Sequence, residues 1–388
     1  VERSTKKIVI SGYYGFNNSG DEAVLCSILH ALREQGEQAG VSIQPLVLSA
    51  NPAQTREMYG VEAAHRMRPA EVLQAIRGSD GLISGGGSLL QDATSAKTIP
   101  YYLAILKLAQ WFGKPTFIYS QGVGPVQRRW FYPLIKGTFA RCSYVSVRDQ
   151  ESAALLASMG LSRERIAVVP DPVMGMPLPQ EQPVLESAAD NGRKEEAPGE
   201  AYKGSSTSTV GVSLRFWNKD RSDMLHAAEA LRKLAAEQPE VHLRFLPFHE
   251  PHDTEASRFV MEELRKGGVA ESRMTLTQGV TNPQEMLAVT ASCDLLIGMR
   301  LHSLIYAVSQ FVPVIGISYD PKIDHFLARI GMKAAAHTSA FQPERVVEEA
   351  RKLLSSKSEW IAEKRPHIEQ LILKSQEPAQ HIATFFRK

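Results

Sequence analysis

Four cationic side chains fall where strands of this chain should end. Arg148 follows the apolar run Val145-Ser146-Val147. Arg300 and His302 follow the buried-type run Leu295-Leu296-Ile297, and Lys322 closes the loop Ser318-Tyr319-Asp320-Pro321-Lys322. In doubly wound α/β sheets, ligands bind outside the carboxyl ends of strands. An arginine there can grip a carboxylate or phosphate through two hydrogen bonds of its planar fork. No Asp or Glu occurs between Asp294 and Asp320, so the Arg300-Leu301-His302-Ser303 junction offers cations and helix N–H groups to an anion. The bland alternative has Arg148 pairing with Asp149 or Asp171, and His302 and Lys322 serving only the core or the surface.

Glycine-rich loops supply the opposite wall. The segment Gly12-Tyr13-Tyr14-Gly15-Phe16-Asn17-Asn18-Ser19-Gly20-Asp21-Glu22 sets Tyr14 and Phe16 between glycines. Their rings either stack on the C–H face of a sugar or pack on neighbouring helices. Ser19 and Glu22 have the spacing of a capping box. Gly12, Gly15 and Gly20 do not make the G-x-G-x-x-G dinucleotide fingerprint, and no acidic residue follows at its distance. Gly85-Gly86-Gly87 is expected to join a strand to a helix, either presenting N–H groups to a ligand or merely turning tightly. Gln121-Gly122-Val123-Gly124-Pro125 repeats the device, with Gln121 as a donor.

The elements that would position these residues alternate short apolar runs with helical periodicity, the pattern of parallel α/β sheets. Strands are expected at Lys7–Ser11, Leu46–Ser49, Gly81–Ser84, Thr116–Ser120, Tyr144–Val147 and Ala167–Val169. After a polar stretch they resume at Val210–Leu214, His242–Leu246, Met274–Thr277, Leu295–Ile297 and Val314–Ile317. Ala23–Leu32 carries Val24, Leu25, Ile28, Leu29 and Leu32 on one helical face. The 388 residues fit two domains. We expect an N-terminal Rossmann-like domain over 1–176 (acceptor side) and a flexible linker over 177–209, rich in Pro, Gln, Glu, Ser and Gly. A C-terminal Rossmann-like domain over 210–357 (donor side) and a final helix over 358–388 complete the chain. The fold class is α/β, with two Rossmann-like domains facing a cleft in the GT-B manner and the C-terminal helix packing back on the first domain.

Composition narrows the function classes. With 44 basic and 42 acidic residues the formal charge is +2, which gives no global basic field for nucleic acid. Cys26, Cys142 and Cys293 sit in separate apolar runs and read as reduced core residues. His249-Glu250-Pro251-His252-Asp253 lacks the H-e-x-x-H spacing and is broken by proline, so no metal is expected there. There is no G-x-S-x-G elbow. Val1–Lys7 shows no apolar signal region, and Ile99–Phe112 is shorter than a membrane span and carries Lys107. We therefore expect a cytoplasmic enzyme.

Taken in order, the Gly12–Glu22 segment, the Gly85-Gly86-Gly87 loop, Ser146-Val147-Arg148-Asp149 and Gly298-Met299-Arg300-Leu301-His302-Ser303 resemble the polysaccharide pyruvyltransferase family, in particular its cell-surface-anchoring branch. The resemblance covers roughly residues 6–360. It implies phosphoenolpyruvate as donor substrate with no further cofactor, and a saccharide diol, lipid-linked, as acceptor. In that branch the product is a 4,6-pyruvate ketal on N-acetylmannosamine. Catalysis is carried over to His302, Arg148 and Lys322. Donor binding goes to Arg148, Arg300, His302, Ser303, Lys322 and Ser318, and acceptor binding to Tyr14, Phe16, Asn17, Gly86, Gly87 and Gln121. A wall precursor also implies peripheral contact with the membrane's inner face, for which Arg128-Arg129-Trp130-Phe131-Tyr132 mixes cations with aromatics. The competing assignments are a GT-B glycosyltransferase or a sugar-nucleotide epimerase using a nucleotide sugar, and a non-catalytic polysaccharide-binding protein.

Overall fold

The computed structural model describes residues 4–16, 18–92, 97–179 and 207–387. Its first sheet comprises β1 (Ser4–Tyr14), β2 (Val41–Ser49), β3 (Glu62–His65), β4 (Gly81–Ser84), β5 (Gly87–Leu90), β6 (Thr116–Val123), β7 (Tyr144–Val147) and β8 (Ala167–Val168). These run in the order β3-β2-β1-β4-β6-β7-β8, with β5 paired to β6. The second comprises β9 (Ser208–Ser213), β10 (Val241–Phe245), β11 (Met274–Leu276), β12 (Leu295–Gly298), β13 (Val314–Ser318) and β14 (Ala336–His337), in the order β11-β10-β9-β12-β13-β14. Every ladder between these strands is parallel. Helices cover both faces, so central strands such as Leu295–Gly298 are wholly buried and read as unbroken apolar runs. Two doubly wound, Rossmann-like units result.

The first helix, Ser19–Ala39, shows how sequence sets the cleft wall. It starts at Asn18, whose side chain accepts from the Gly20 N–H at 3.1 Å, and ends at Gly40 in the left-handed region. Val24, Leu25, Ile28 and Leu32 face the core at helical spacing. The expected capping box is not formed. Glu22 instead accepts from the Gly15 N–H at 2.7 Å and the Tyr59 hydroxyl at 2.9 Å, while the Ser19 hydroxyl donates to the Phe248 carbonyl of the second domain.

Three other expectations change. Gly85-Gly86-Gly87 leads into strand β5, not a helix, because Gly87 and Leu90 pair with Gln121 and Val123 of β6. The final helix is two, Lys357–Ser375 and Glu377–Arg387. Of the linker expected over 177–209, residues 180–206 lie outside the described residues, and Ser208 already begins β9. The last helix does pack on the first domain, where Phe385 and Phe386 lie 5.2 and 5.7 Å from the Phe117 ring. Among the described residues no helix is long and apolar enough to cross a membrane.

Candidate active site

A cleft of about 600 Å³ opens between the carboxyl ends of the two sheets. The first domain contributes Tyr13, Asp21, Gly87, Ser88, Tyr102 and Arg148. The second contributes Arg215, Trp217, His249, Arg300, His302 and Lys322. Arg148, His302 and Lys322, separated by up to 174 residues in sequence, therefore meet in one cavity. A smaller cavity of about 210 Å³ adjoins it, bordered by Arg148 and Lys322 and also by Asp171, His325 and Arg329.

Arg148 is largely buried and held from several sides. Its Nη2 donates to the Ser88 hydroxyl at 2.8 Å, and its guanidinium lies 3.5 Å from Asp149 and 3.6 Å from Asp171. A Cβ on Gly122 would come within 3.0 Å of its Nε, so that glycine makes room for the guanidinium. The ion pairs foreseen as the bland alternative are real, and the same arginine still borders both cavities.

His302 sits at the second position of the helix Leu301–Ser309. Its Nε2 is buried, without a hydrogen bond, and faces Asp171 Oδ2 at 3.9 Å; that carboxylate oxygen also accepts no hydrogen bond and has the Arg148 guanidinium at 3.6 Å. Its ring also lies against Gly20 of the first domain, where a Cβ would be 2.4 Å from Nδ1. Burial holds the imidazole below its ordinary pKa. Asp171 pulls it up, and Arg148, Arg300 and Lys322 push it down. Lys322 follows the Asp320 cap of the helix Pro321–Arg329 and lies 3.7 Å from that carboxylate.

Other proposed contacts are placed differently. Arg300 borders the cleft, but its Nε donates to both Asp253 oxygens, at 2.9 and 3.2 Å, and its Nη2 also pairs with Asp253. The acid missing from the local run is thus supplied by a distant helix, His252–Lys266. Ser303 is buried and donates to the Arg300 carbonyl at 2.7 Å, and buried Ser318 donates to Asp324 at 2.6 Å, so neither hydroxyl faces the cleft.

The acceptor residues need most correction. Tyr14 is fully buried, not exposed, and its ring occupies the space above Gly12 and Gly85. Its neighbour Tyr13 reaches the cleft and stacks on Phe16, centroids 4.0 Å apart. Phe16 is 42% exposed at the outer end of that stack. Both rings lie on Arg66, which is fixed by the Gly12 carbonyl at 2.7 Å and the Tyr102 hydroxyl at 3.2 Å. Gly86 packs on Val24 and Gln121 is buried in β6, so of these only Gly87 lines the cleft. Asn17 lies outside the described residues.

Several cleft residues went unread in the sequence. Arg215 and Trp217 come just after β9, where the strand-end rule would have pointed. Arg215 donates to the Tyr319 hydroxyl at 2.9 Å and lies over both Tyr319 and Trp217, whose rings are 4.6 Å apart. Trp217 is 48% exposed, an aromatic face across the cleft from Tyr13. Asp21 belongs to a quoted motif, yet nothing in its spacing announces its environment. Burial, with Glu22 beside it, raises its carboxyl to about 7. The cleft thus combines a cationic floor with aromatic walls, an imidazole held below its ordinary pKa and the raised carboxyl of Asp21. Among the described residues no group of three or more His, Cys, Asp and Glu is arranged to hold a metal ion.

A family model for polysaccharide pyruvyl transferase matches residues 18–321. No curated protein matches the chain. Among solved structures, the UDP-GlcNAc 2-epimerase of Neisseria meningitidis bound to UDP-GlcNAc is similar at 11% identity and a TM-score of 0.62, covering 98% of this chain and 100% of that one. The UDP-GlcNAc 2-epimerase of Methanocaldococcus jannaschii is 12% identical with a TM-score of 0.60, over 90% and 92% of the two chains. Anabaena HepE in complex with UDP-glucose is 14% identical with a TM-score of 0.53, over 98% and 95%. At such identities the likeness is one of fold, and that fold is GT-B-like.

Proposed function

This chain belongs to the polysaccharide pyruvyl transferase family, and on that premise we propose that it makes a pyruvate ketal on a cell-wall saccharide. Phosphoenolpyruvate is the donor, phosphate is released, and the acceptor is a lipid-linked sugar diol. The finer assignment is to the CsaB branch, with N-acetylmannosamine as the sugar and a 4,6-ketal as the product that anchors surface-layer proteins. The observation that carries the proposal is the convergence of Arg148, His302 and Lys322 from both domains on one cleft.

The donor carries a carboxylate and a phosphate on one small carbon frame. Arg148 and Lys322, which border both cavities, bind those two charges. His302 delivers a proton to C3 of the enol, leaving an oxocarbenium-like centre at C2. In the free enzyme burial keeps the imidazole largely neutral; a bound dianionic donor adds to the pull of Asp171 and raises its proton affinity. The saccharide lies between Tyr13 and Trp217, whose flat faces suit the apolar side of a sugar ring. Its first hydroxyl attacks C2, phosphate departs, and the second hydroxyl closes the ketal.

The decisive experiment incubates the enzyme with phosphoenolpyruvate and a panel of saccharide diols, following free phosphate and the product mass. Phosphate release that depends on acceptor, with deuterium entering the ketal methyl in heavy water, is expected. Turnover of a nucleotide sugar without phosphate release from phosphoenolpyruvate would refute the assignment and favour a glycosyltransferase or epimerase. No turnover of either would favour a binding protein.

A further inference from the structure

Ketal formation moves protons in two places: one must reach C3 of the donor, and one must leave each attacking hydroxyl. His302 serves the first. The carboxylates around the cleft differ sharply in their availability for the second. Asp253 is committed to Arg300, Asp149 and Asp171 lie against Arg148, and Asp320 caps a helix beside Lys322. The Asp21 carboxylate, on the cleft wall, is engaged in no hydrogen bond or ion pair with the described residues.

Its position is central. Asp21 follows Gly20, against which the His302 ring rests. Its Oδ1 fills space that a side chain at position 87 would need, since a Cβ on Gly87 would lie 2.8 Å away. The next residue, Ser88, holds Arg148. The carboxylate therefore stands one residue along the helix from the glycine under His302 and within the field of the arginine assigned to phosphoenolpyruvate, on the wall that carries Tyr13 and Tyr102.

Resting on the pyruvyl transfer proposed above, we propose that Asp21 is the general base of the reaction, taking the proton of the saccharide hydroxyl as its oxygen bonds to C2. The bookkeeping of the step closes. His302 protonates C3, the hydroxyl oxygen forms the C2–O bond with its own electron pair, and its proton passes to Asp21. Phosphate leaves with the electrons of its C2–O bond, the second hydroxyl attacks, and its proton leaves on phosphate. The proton held by Asp21 replaces, through solvent, the one His302 gave up. Nothing is oxidised or reduced.

The electrostatic surroundings suit that role. Facing Asp21 are Glu22 on its own helix, Asp171 from the end of the first domain, Arg148 after β7 and Arg66 after β3, with the Tyr14 and Tyr102 hydroxyls nearby. Burial and the two acids outweigh the two arginines, so the carboxyl titrates near 7, where a base both accepts and returns a proton readily.

The test compares wild type, Asp21→Asn and Asp21→Ala with phosphoenolpyruvate and an accepted diol. Asp21→Asn should keep its fold and bind phosphoenolpyruvate within a few-fold of wild type, while turnover falls by about 10²–10⁴, the usual worth of a positioned base. The acidic limb of the wild-type kcat profile near neutrality should vanish in Asp21→Asn, and added formate should restore part of the turnover of Asp21→Ala. A merely structural role predicts neither change. Asp21→Asn turning over within threefold of wild type, or keeping the acidic limb without rescue of Asp21→Ala by formate, overturns the base while leaving the transfer intact. Wild type that releases no phosphate from phosphoenolpyruvate with any diol overturns the transfer and the base together.

Discussion

Replacing Gly20 by alanine should separate stability from turnover. The new Cβ would lie 2.4 Å from Nδ1 of His302, 2.6 Å from Cε1 and 3.1 Å from Cγ. Carbon contacts are comfortable at about 3.5 Å, so the imidazole must retreat by about 1 Å. A retreat toward Asp171, 3.9 Å from Nε2, brings the two to hydrogen-bond distance and holds the ring off its working position. A shift of about 1 Å in a reacting group can cost about 10²-fold in rate. The backbone tells the opposite story. Gly20 lies in the first turn of the helix Ser19–Ala39, and alanine is favoured over glycine in a helix by up to about 1 kcal/mol. Thermal melts should therefore show only a modest change in Gly20→Ala, because the helical gain offsets part of the roughly 1–3 kcal/mol that crowding a packed ring costs, while phosphate release with donor and acceptor falls about a hundredfold. Turnover within threefold of wild type in a folded Gly20→Ala protein would refute the placement of His302 as the working acid.

Truncating a desolvated charged contact costs about 2–5 kcal/mol, so Arg148→Ala should weaken phosphoenolpyruvate binding well over tenfold by calorimetry, with Arg148→Lys recovering only part. Asp171 raises the proton affinity of His302. Asp171→Asn should accordingly move the alkaline limb of kcat/KM to lower pH, because His302 then loses its proton earlier; an unmoved limb would mean that the acid is elsewhere. Trp217→Ala should raise the acceptor KM about fivefold and leave phosphoenolpyruvate affinity unchanged, since stacking of an exposed ring is worth about 1 kcal/mol. Trp130 is 59% exposed whereas Arg128 is tied to Asp92, so the membrane contact expected of this segment is tested by Arg129→Glu with Trp130→Ala. Flotation with anionic liposomes should fall, and unchanged flotation would remove this patch as the contact.

The sheets were legible where strands are buried on both faces. Leu295–Ile297 and Val314–Ile317 are continuous apolar runs because parallel strands covered by helices require them. Glu62–His65 and Gly87–Leu90 were missed, since a short edge strand and a glycine-led strand carry no such run. Tyr14, expected to face a ligand because it lies between glycines, is buried for a subtler reason. The β1–β2 register slips between Ser11 and Tyr14, so facing counted along the apolar run does not carry through to the loop. Among the cations, Arg148, His302 and Lys322 were found by the strand-end rule. The commitment of Arg300 was not, because Asp253 stands 47 residues away in the chain. Asp21 was invisible for the same kind of reason, as its altered acidity comes from what folds over it.

The chain's two passages between domains lie side by side. The 3₁₀ turn Pro172–Gly175 ends the first domain, and Pro177 already accepts a hydrogen bond from Gln284 of the second. The return passage, at Ser375 and Gln376, touches the outgoing one: Gln376 Nε2 donates to the Gly175 carbonyl at 3.5 Å, and a Cβ on Gly175 would collide with it at 2.2 Å. Two adjacent tethers permit rotation about the line through them and resist sliding or twisting, as the two pins of one door hinge do. Arg148 and His302 stand on opposite leaves of that door. Rotation about that line is the motion that would change their separation, and the small residue at position 175 sits where it would turn.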